Sequence, residues 1–247
     1  RSLASRGGAI GVLIAETGGQ NALIADSSAL PEQLVKDALS SAFTSAGQRC
    51  SAARVLFVQE DIADKVSTML AGAMAELKVG DPGLLSTDVG PVIDEDALKT
   101  LQAHAERMDR EATLIAAVAM DDDTAHGSYF APRAYALKSL DQLDREVFGP
   151  VLHVVRWKGD QLDQVIDAIN ATGYGLTLGV HSRIDATVEK IAANTRVGNC
   201  YVNRNQIGAV VGVQPFGGQG LSGTGPKAGG PHYLPRFTTE KTITINT

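Results

Sequence analysis

One thiol and two carboxylates, far apart along the chain, are the side chains best suited to covalent chemistry. Cys50 sits in Gly47-Gln48-Arg49-Cys50-Ser51. Free cysteine is commonly a buried, inert packing residue. The neighbours of Cys50 are instead small or polar, and Arg49 beside it is expected to favour the thiolate, the nucleophilic form. Upstream lies Glu16-Thr17-Gly18-Gly19-Gln20, a glutamate followed by two glycines that let backbone approach a ligand closely. Downstream lies Glu146-Val147-Phe148-Gly149-Pro150. A thiol in such surroundings is a candidate nucleophile for covalent catalysis. The other cysteine, Cys200, falls in the alternating run Val197-Gly198-Asn199-Cys200-Tyr201-Val202-Asn203 and reads as a packing residue.

The residues between must build the frame that holds these groups. Ile10-Gly11-Val12-Leu13-Ile14-Ala15 predicts a strand buried on both faces and ending at Glu16. Residues 1–9 cannot supply its neighbours and the chain opens without a methionine, so it reads as a piece of a longer polypeptide. Leu34, Val35, Ala38, Leu39, Ala42 and Phe43 mark one face of a helix running towards Cys50. A strand over 54–58 follows, then a helix N-capped by Asp61 with the stripe Ile62, Val66, Met69, Leu70, Ala73, Met74 and Leu77. Gly80-Asp81-Pro82-Gly83 ends it. A helix carrying Ala97, Leu98, Leu101, Ala105 and Met108 precedes a strand over 113–118. Strands over 151–157, 176–181 and 197–203 alternate with helices around 162–169 and 185–194. This is an α/β chain with a largely parallel sheet flanked by helices. Residues 208–232 carry nine glycines and three prolines and read as a functional loop or a linker. Ile243 and Ile245, alternating with threonines, predict a last short strand at a sheet edge or between subunits.

Bulk properties exclude several classes. The formal net charge is −6, so a broad basic face for nucleic acid is not expected. No apolar run reaches the roughly 18 residues of a membrane span. Two cysteines form no disulfide framework, which fits a reducing, cytoplasmic setting. Asp121-Asp122-Asp123 reads as a solvated loop, and the five histidines share no metal-ligand spacing, so no metal is expected. Asn170-Ala171-Thr172 matches a glycosylation sequon by chance. Gly218, Gly220 and Gly223 have the spacing of a dinucleotide fingerprint but precede Gly225-Pro226 rather than a helix, so they are not a phosphate cradle.

Taken in order, these segments resemble the C-terminal half of an aldehyde dehydrogenase. Members of that superfamily typically carry Glu-Leu-Gly-Gly-Lys where this chain has Glu16-Thr17-Gly18-Gly19-Gln20; the 146–150 segment is the tighter match. Pro215-Phe216-Gly217-Gly218 and the segment from Asn170 to Leu176 are also similar to that superfamily. Arg49-Cys50-Ser51, Gly208-Ala209-Val210-Val211-Gly212 and Gly229-Gly230-Pro231-His232-Tyr233 resemble its glutamate γ-semialdehyde (pyrroline-5-carboxylate) branch, above all the dehydrogenase module of the bacterial proline utilization A family.

The resemblance implies an NAD-dependent oxidation of L-glutamate γ-semialdehyde to L-glutamate. Cys50 would be the nucleophile and Glu16 the general base that releases a thioester. Glu146 would bond a ribose hydroxyl, with Phe148 near the nicotinamide and Gly18 at the cofactor. Arg49, Ser51, Gly208, Ala209 and Phe216 would contact the substrate. It divides the chain into a remnant of the cofactor-binding domain (1–17), a catalytic domain (18–216) and a glycine-rich return segment with a terminal strand (217–247). It implies as partners the rest of the cofactor domain in the same polypeptide and further copies in a homo-oligomer. Three alternatives stand beside this reading: a non-catalytic assembly module, an aldehyde dehydrogenase for another substrate, and a cysteine hydrolase without cofactor.

Overall fold

The computed structural model describes residues 2–210 and 212–247, leaving aside the side chains of Ser2 and Ala4. In chain order the elements are α1 (Ser2–Ser5), β1 (Ala22–Ala25), α2 (Pro31–Phe43), β2 (Val55–Gln59), α3 (Glu60–Ala75), α4 (Glu95–Glu111), β3 (Thr113–Ala117), β4 (Arg133–Leu137), β5 (Val151–Trp157), α5 (Leu162–Ala171), β6 (Tyr174–Gly175), β7 (Thr177–His181), α6 (Asp185–Asn194), β8 (Asn199–Val202) and β9 (Gln219–Gly220). Seven strands form one sheet in the order β3-β4-β5-β2-β1-β7-β8. Every neighbouring pair is parallel except β3 with β4. Strands β6 and β9 pair antiparallel on their own.

The middle of the sheet is apolar on both faces, as parallel strands covered by helices require. Leu23, Val55, Val58, Leu152, Leu178 and Val180 have no exposed surface. Each such side chain contributes roughly 1.5–3 kcal/mol relative to an exposed position. The helices follow from local chemistry. Helix α2 starts at Pro31, where a missing N–H costs nothing, and buries Leu34, Val35, Ala38, Ala42 and Phe43. Helix α4 is capped by the Asp94 side chain, which accepts from the Ala97 N–H at 2.8 Å, and Glu95 and Asp96 favour its positive end.

Three expectations fail. Ile10–Ala15 is not a buried strand: it joins no strand among the described residues, and Ile10 is fully exposed. Ile243 and Ile245 are likewise exposed and outside any strand. Helix α3 is entered from Gln59 rather than capped by Asp61, whose carboxylate accepts from the Gln59 side-chain amide at 2.7 Å. Two strands of the seven-stranded sheet were not predicted, nor was the short pair β6 and β9. β1 is only four residues long, and the apolar stretch of β4 is interrupted by Arg133 and Tyr135. Asp121–Asp123 are exposed, as expected of a solvated loop. Among the described residues no helix is long and apolar enough to cross a membrane.

Candidate active site

The three chemical groups stand in front of three adjacent strands. Glu146 precedes β5 by five residues, Cys50 precedes β2 by five, and Glu16 precedes β1 by six. Since β5, β2 and β1 are neighbours and parallel, their leading segments converge at one edge of the sheet. The sheet order therefore gathers residues that are up to 130 positions apart in sequence (146 − 16).

The nucleophile segment begins with a strained turn. After α2 the backbone passes through Ser45, Ala46 and Gly47 at φ 58°, 53° and 64°. The left-handed region costs an L-residue about 1–2 kcal/mol, and such strain persists only where the surroundings over-determine it. Glycine is required at position 47 for a second reason. A Cβ there would lie 2.3 Å from the Gly149 carbonyl oxygen and 2.7 Å from that of Ala42.

What over-determines the turn is Arg54, 1% exposed at the head of β2. Its Nη1 donates to the carbonyls of Gly47 (2.7 Å) and Gly149 (3.1 Å). Its Nη2 donates to the Arg49 carbonyl (3.1 Å) and to Glu146 Oε1 (3.3 Å). The guanidinium also lies 5.0 Å from the centre of the Phe148 ring. A buried charge is tolerable only when paired and hydrogen-bonded. Here one guanidinium ties the nucleophile turn to the 146–149 loop. Burial lowers the pKa of Arg54 and raises that of Glu146, and each charge opposes the other's shift.

A second clamp works from the other side. Asn21, 3% exposed, donates its side-chain amide to the carbonyls of Cys50 (2.6 Å) and Ala52 (3.0 Å). Its Oδ1 accepts from the Thr177 N–H (3.2 Å), and its own carbonyl accepts from the N–H groups of Arg54 and Val55. The Ser51 carbonyl takes bonds from Thr177 Oγ1 (3.1 Å) and Gln206 Nε2 (3.3 Å). Sequence reasoning missed Arg54, Asn21, Thr177 and Gln206. The available signal was polar residues bordering apolar strands, which reveals burial but not partners.

Cys50 is half-buried. Burial pushes its thiol up, the N–H groups of Ser51 and Cys50 pull it down, and the carboxylates of Glu16 and Glu146 raise it further. The expectation that Arg49 favours the thiolate is therefore corrected: Arg49 Nε donates to Ser45 Oγ at 3.2 Å, within its own turn, and the pKa is raised. Cys200 is exposed on the edge strand β8, so the packing reading of that residue fails as well.

Glu16 is exposed and pairs through its backbone with Gly223. The Thr17 N–H donates to the Ser222 carbonyl (3.1 Å) and the Thr224 N–H to that of Ala15 (3.0 Å). The glycine-rich segment is thus the splint that carries Glu16, and Gly218, Gly220 and Gly223 open no helix. Gly18 leaves room for Glu146: a Cβ there would be 1.7 Å from Glu146 Oε2. Ser51 is buried, and Gln206 beneath it leads directly into Gly208 (φ 73°) and Ala209. Phe216 is half-buried and pairs with Ala228 in the glycine-rich segment.

The sequence left all five histidines unrelated, but the fold joins two of them. His104 and His153 meet ring nitrogen to ring nitrogen at 2.9 Å, and His153 Nδ1 bonds the Arg54 carbonyl at 2.9 Å. A carbonyl only accepts, so Nδ1 carries the proton and His153 Nε2 is a lone pair that accepts from His104. Among the described residues no cluster of three or more His, Cys, Asp or Glu could hold a metal ion.

This mostly parallel sheet flanked by helices is shared with a known group of enzymes. A profile described as the Aldehyde dehydrogenase family matches residues 1–243, and the chain belongs to that family. It is 57% identical over 234 residues to the Bifunctional protein PutA of Klebsiella aerogenes, covering 93% of this chain and 18% of that protein. A crystal structure of bifunctional proline utilization A (PutA) matches with a TM-score of 0.95 at 60% identity, covering 99% of this chain and 24% of that one. A 1-pyrroline-5-carboxylate dehydrogenase from Thermus with bound NAD matches with a TM-score of 0.83 at 34% identity, covering 91% of this chain and 43% of that one. The chain spans about a fifth of the length of the curated PutA relative.

Proposed function

We propose that this chain carries the catalytic part of an NAD-dependent L-glutamate γ-semialdehyde dehydrogenase, cytoplasmic and homo-oligomeric in its complete form. The observation that carries the reading is the convergence of Cys50, Glu16 and Glu146 ahead of three adjacent parallel strands, at one edge of the sheet. The identity to PutA narrows the substrate.

The residues present fit a dinucleotide. Glu146 has one oxygen held by Arg54 and the other over a glycine. A cavity of about 510 Å³ beside it is lined by both signs of charge, Lys99, Arg107 and Arg145 with Asp144 and Glu146. Glu146 would hold the ribose and Phe148 would flank the nicotinamide, over Gly18. When bound, NAD supplies the oxidant that takes up hydride from the substrate carbon.

The chain's own residues do the rest. Cys50 sulfur adds to the aldehyde carbon, and the oxygen, now an alkoxide, needs donors aimed at it, the Cys50 N–H among them. That addition leaves the substrate covalently held on sulfur, and after oxidation the bond is a thioester. Glu16, carried on its glycine-rich splint, takes a proton from water so that hydroxide attacks the thioester carbon, releasing the acid and the thiolate. Burial and both carboxylates hold the thiol pKa up, and the N–H groups of Ser51 and Cys50 and the charge of Arg54 oppose them.

The substrate's α-carboxylate must be satisfied once it leaves water. Ser51 offers a hydroxyl, and the Gly208-Ala209 turn offers N–H groups with little side chain in the way; Arg49 and Phe216 would complete the pocket. A plain alkyl aldehyde would leave those donors unpaired. Glutamate γ-semialdehyde should therefore be strongly preferred over pentanal in kcat/KM, and Ser51→Ala should weaken that preference by roughly 1–3 kcal/mol. Equal efficiency on pentanal in the complete enzyme would overturn the substrate while leaving the family intact.

A further inference from the structure

Arg49, the cation next to Cys50 in sequence, is engaged with Ser45, while Arg54 attracts the thiolate. The N–H groups of Ser51 and Cys50 pull the thiol pKa down. The Ser51 N–H belongs to the same rigid plane as the Cys50 carbonyl, and in a trans peptide the two point in opposite directions. Whatever grips the Cys50 carbonyl therefore sets the direction of the Ser51 N–H. The group that grips it is Asn21 Nδ2, at 2.6 Å.

We propose that Asn21 is a positioning residue for the nucleophile: by holding the carbonyl oxygens of Cys50 and Ala52 it orients the peptide plane that aims the Ser51 N–H at the Cys50 thiol. This rests on the reading of Cys50 as the nucleophile.

The side chain is built for that one task. It is 3% exposed and spends both its donor and its acceptor, the latter on the Thr177 N–H. Its backbone is pinned as firmly, through the N–H groups of Arg54 and Val55. The clamp is thus anchored to β2 and β7 at once and cannot follow the turn if the turn moves. Gly19 serves the same residue: a Cβ there would stand 2.4 Å from Asn21 Oδ1. The neighbouring plane offers an internal comparison. Thr177 Oγ1 and Gln206 Nε2 grip the Ser51 carbonyl, which shares its plane with the Ala52 N–H and not with a donor to the thiol.

The test is the pH profile of Cys50 alkylation by iodoacetamide in the complete protein, read against Thr177→Val. Asn21→Leu removes both donors without adding charge. It should raise the midpoint of the profile by about one pH unit and slow alkylation near neutral pH about tenfold, the effect of withdrawing one hydrogen bond from the thiolate. In turnover, kcat should fall with little change in KM. Thr177→Val should lower stability but leave the alkylation midpoint in place. If Asn21→Leu does not fold, Asn21→Ser, which shortens the side chain and withdraws the amide, carries the same comparison. An unchanged midpoint in a folded Asn21 variant overturns the proposal, as does an equal shift in Thr177→Val, which would mean general loosening of the turn. Alkylation requires neither dinucleotide nor aldehyde. A failure of the substrate reading would therefore appear in turnover while leaving this result standing.

Discussion

Glycines 18 and 19 are indistinguishable as letters, yet each makes room for a different neighbour. Gly18 clears space for the Glu146 carboxylate and Gly19 for the amide of Asn21. One glycine therefore belongs to the proposed cofactor-holding group and the other to the support of the nucleophile. Glu16, two residues earlier, has a separate task that timing can reveal. A base that hydrolyses the thioester acts after oxidation, so Glu16→Gln in the complete enzyme should still give a burst of NADH in rapid mixing, followed by a slow steady rate. Loss of the burst, with folding and NAD affinity intact, would assign Glu16 an earlier role. Cys50, Glu16 and Glu146 were legible because each lies in a short run of distinctive residues. Arg54, Asn21 and Gln206 were not, because a buried polar side chain is defined by partners that only the fold supplies.

At the scale of elements, the turn between α2 and β2 and the contact between α4 and β5 each make a measurable claim. Gly47→Ala would place a methyl group against two carbonyl oxygens in a left-handed backbone. It should cost several kcal/mol in denaturant unfolding, about 3 or more, since the Gly149 oxygen is held by Arg54 and the Ala42 oxygen belongs to helix α2. Ser45, also left-handed but exposed, should accept glycine within about 1 kcal/mol, the left-handed penalty it sheds offsetting the freedom glycine adds to the unfolded chain.

The α4–β5 contact is a pH device. Burial depresses His104 to about 4 and His153 to about 3. The unfolded chain binds protons near pH 6.5 and the folded chain does not. Unfolding therefore takes up protons between about 6.5 and 4, and stability present above pH 6.5 is lost as pH falls through that window. The slope of Tm against pH there should flatten in a His104→Gln, His153→Gln double variant. An unchanged slope would mean that other groups govern acid unfolding.

For the whole molecule, the largely parallel sheet was readable but its interior strand β1 was not. Strand β5 and helix α6 stand where the alternation of apolar runs predicts them, because each is long enough to show its period. Strand β1 lies inside the sheet, between β2 and β7, on four residues, too few to show one, while the more conspicuous run Ile10–Ala15 joins no strand among the described residues. A buried interior position makes a short strand stable; no feature of those four letters announces it. The exposed Ile10, Val12 and Leu13 and the small share of the PutA relative covered both bear on the last prediction. These 247 residues alone should bind NAD weakly and turn over negligibly. Tight, specific binding by calorimetry would contradict that.

Arg54 has a practical consequence. One planar group holds Gly47, Arg49, Glu146 and Gly149 together, so the loop after residue 145 cannot shift without disturbing the turn that carries Cys50. A small fluorophore or fluorinated tag attached to the Cys50 sulfur would then act as an optical or magnetic reporter for a loop it does not touch. Ligands that engage only Glu146 could be screened by the signal of that label.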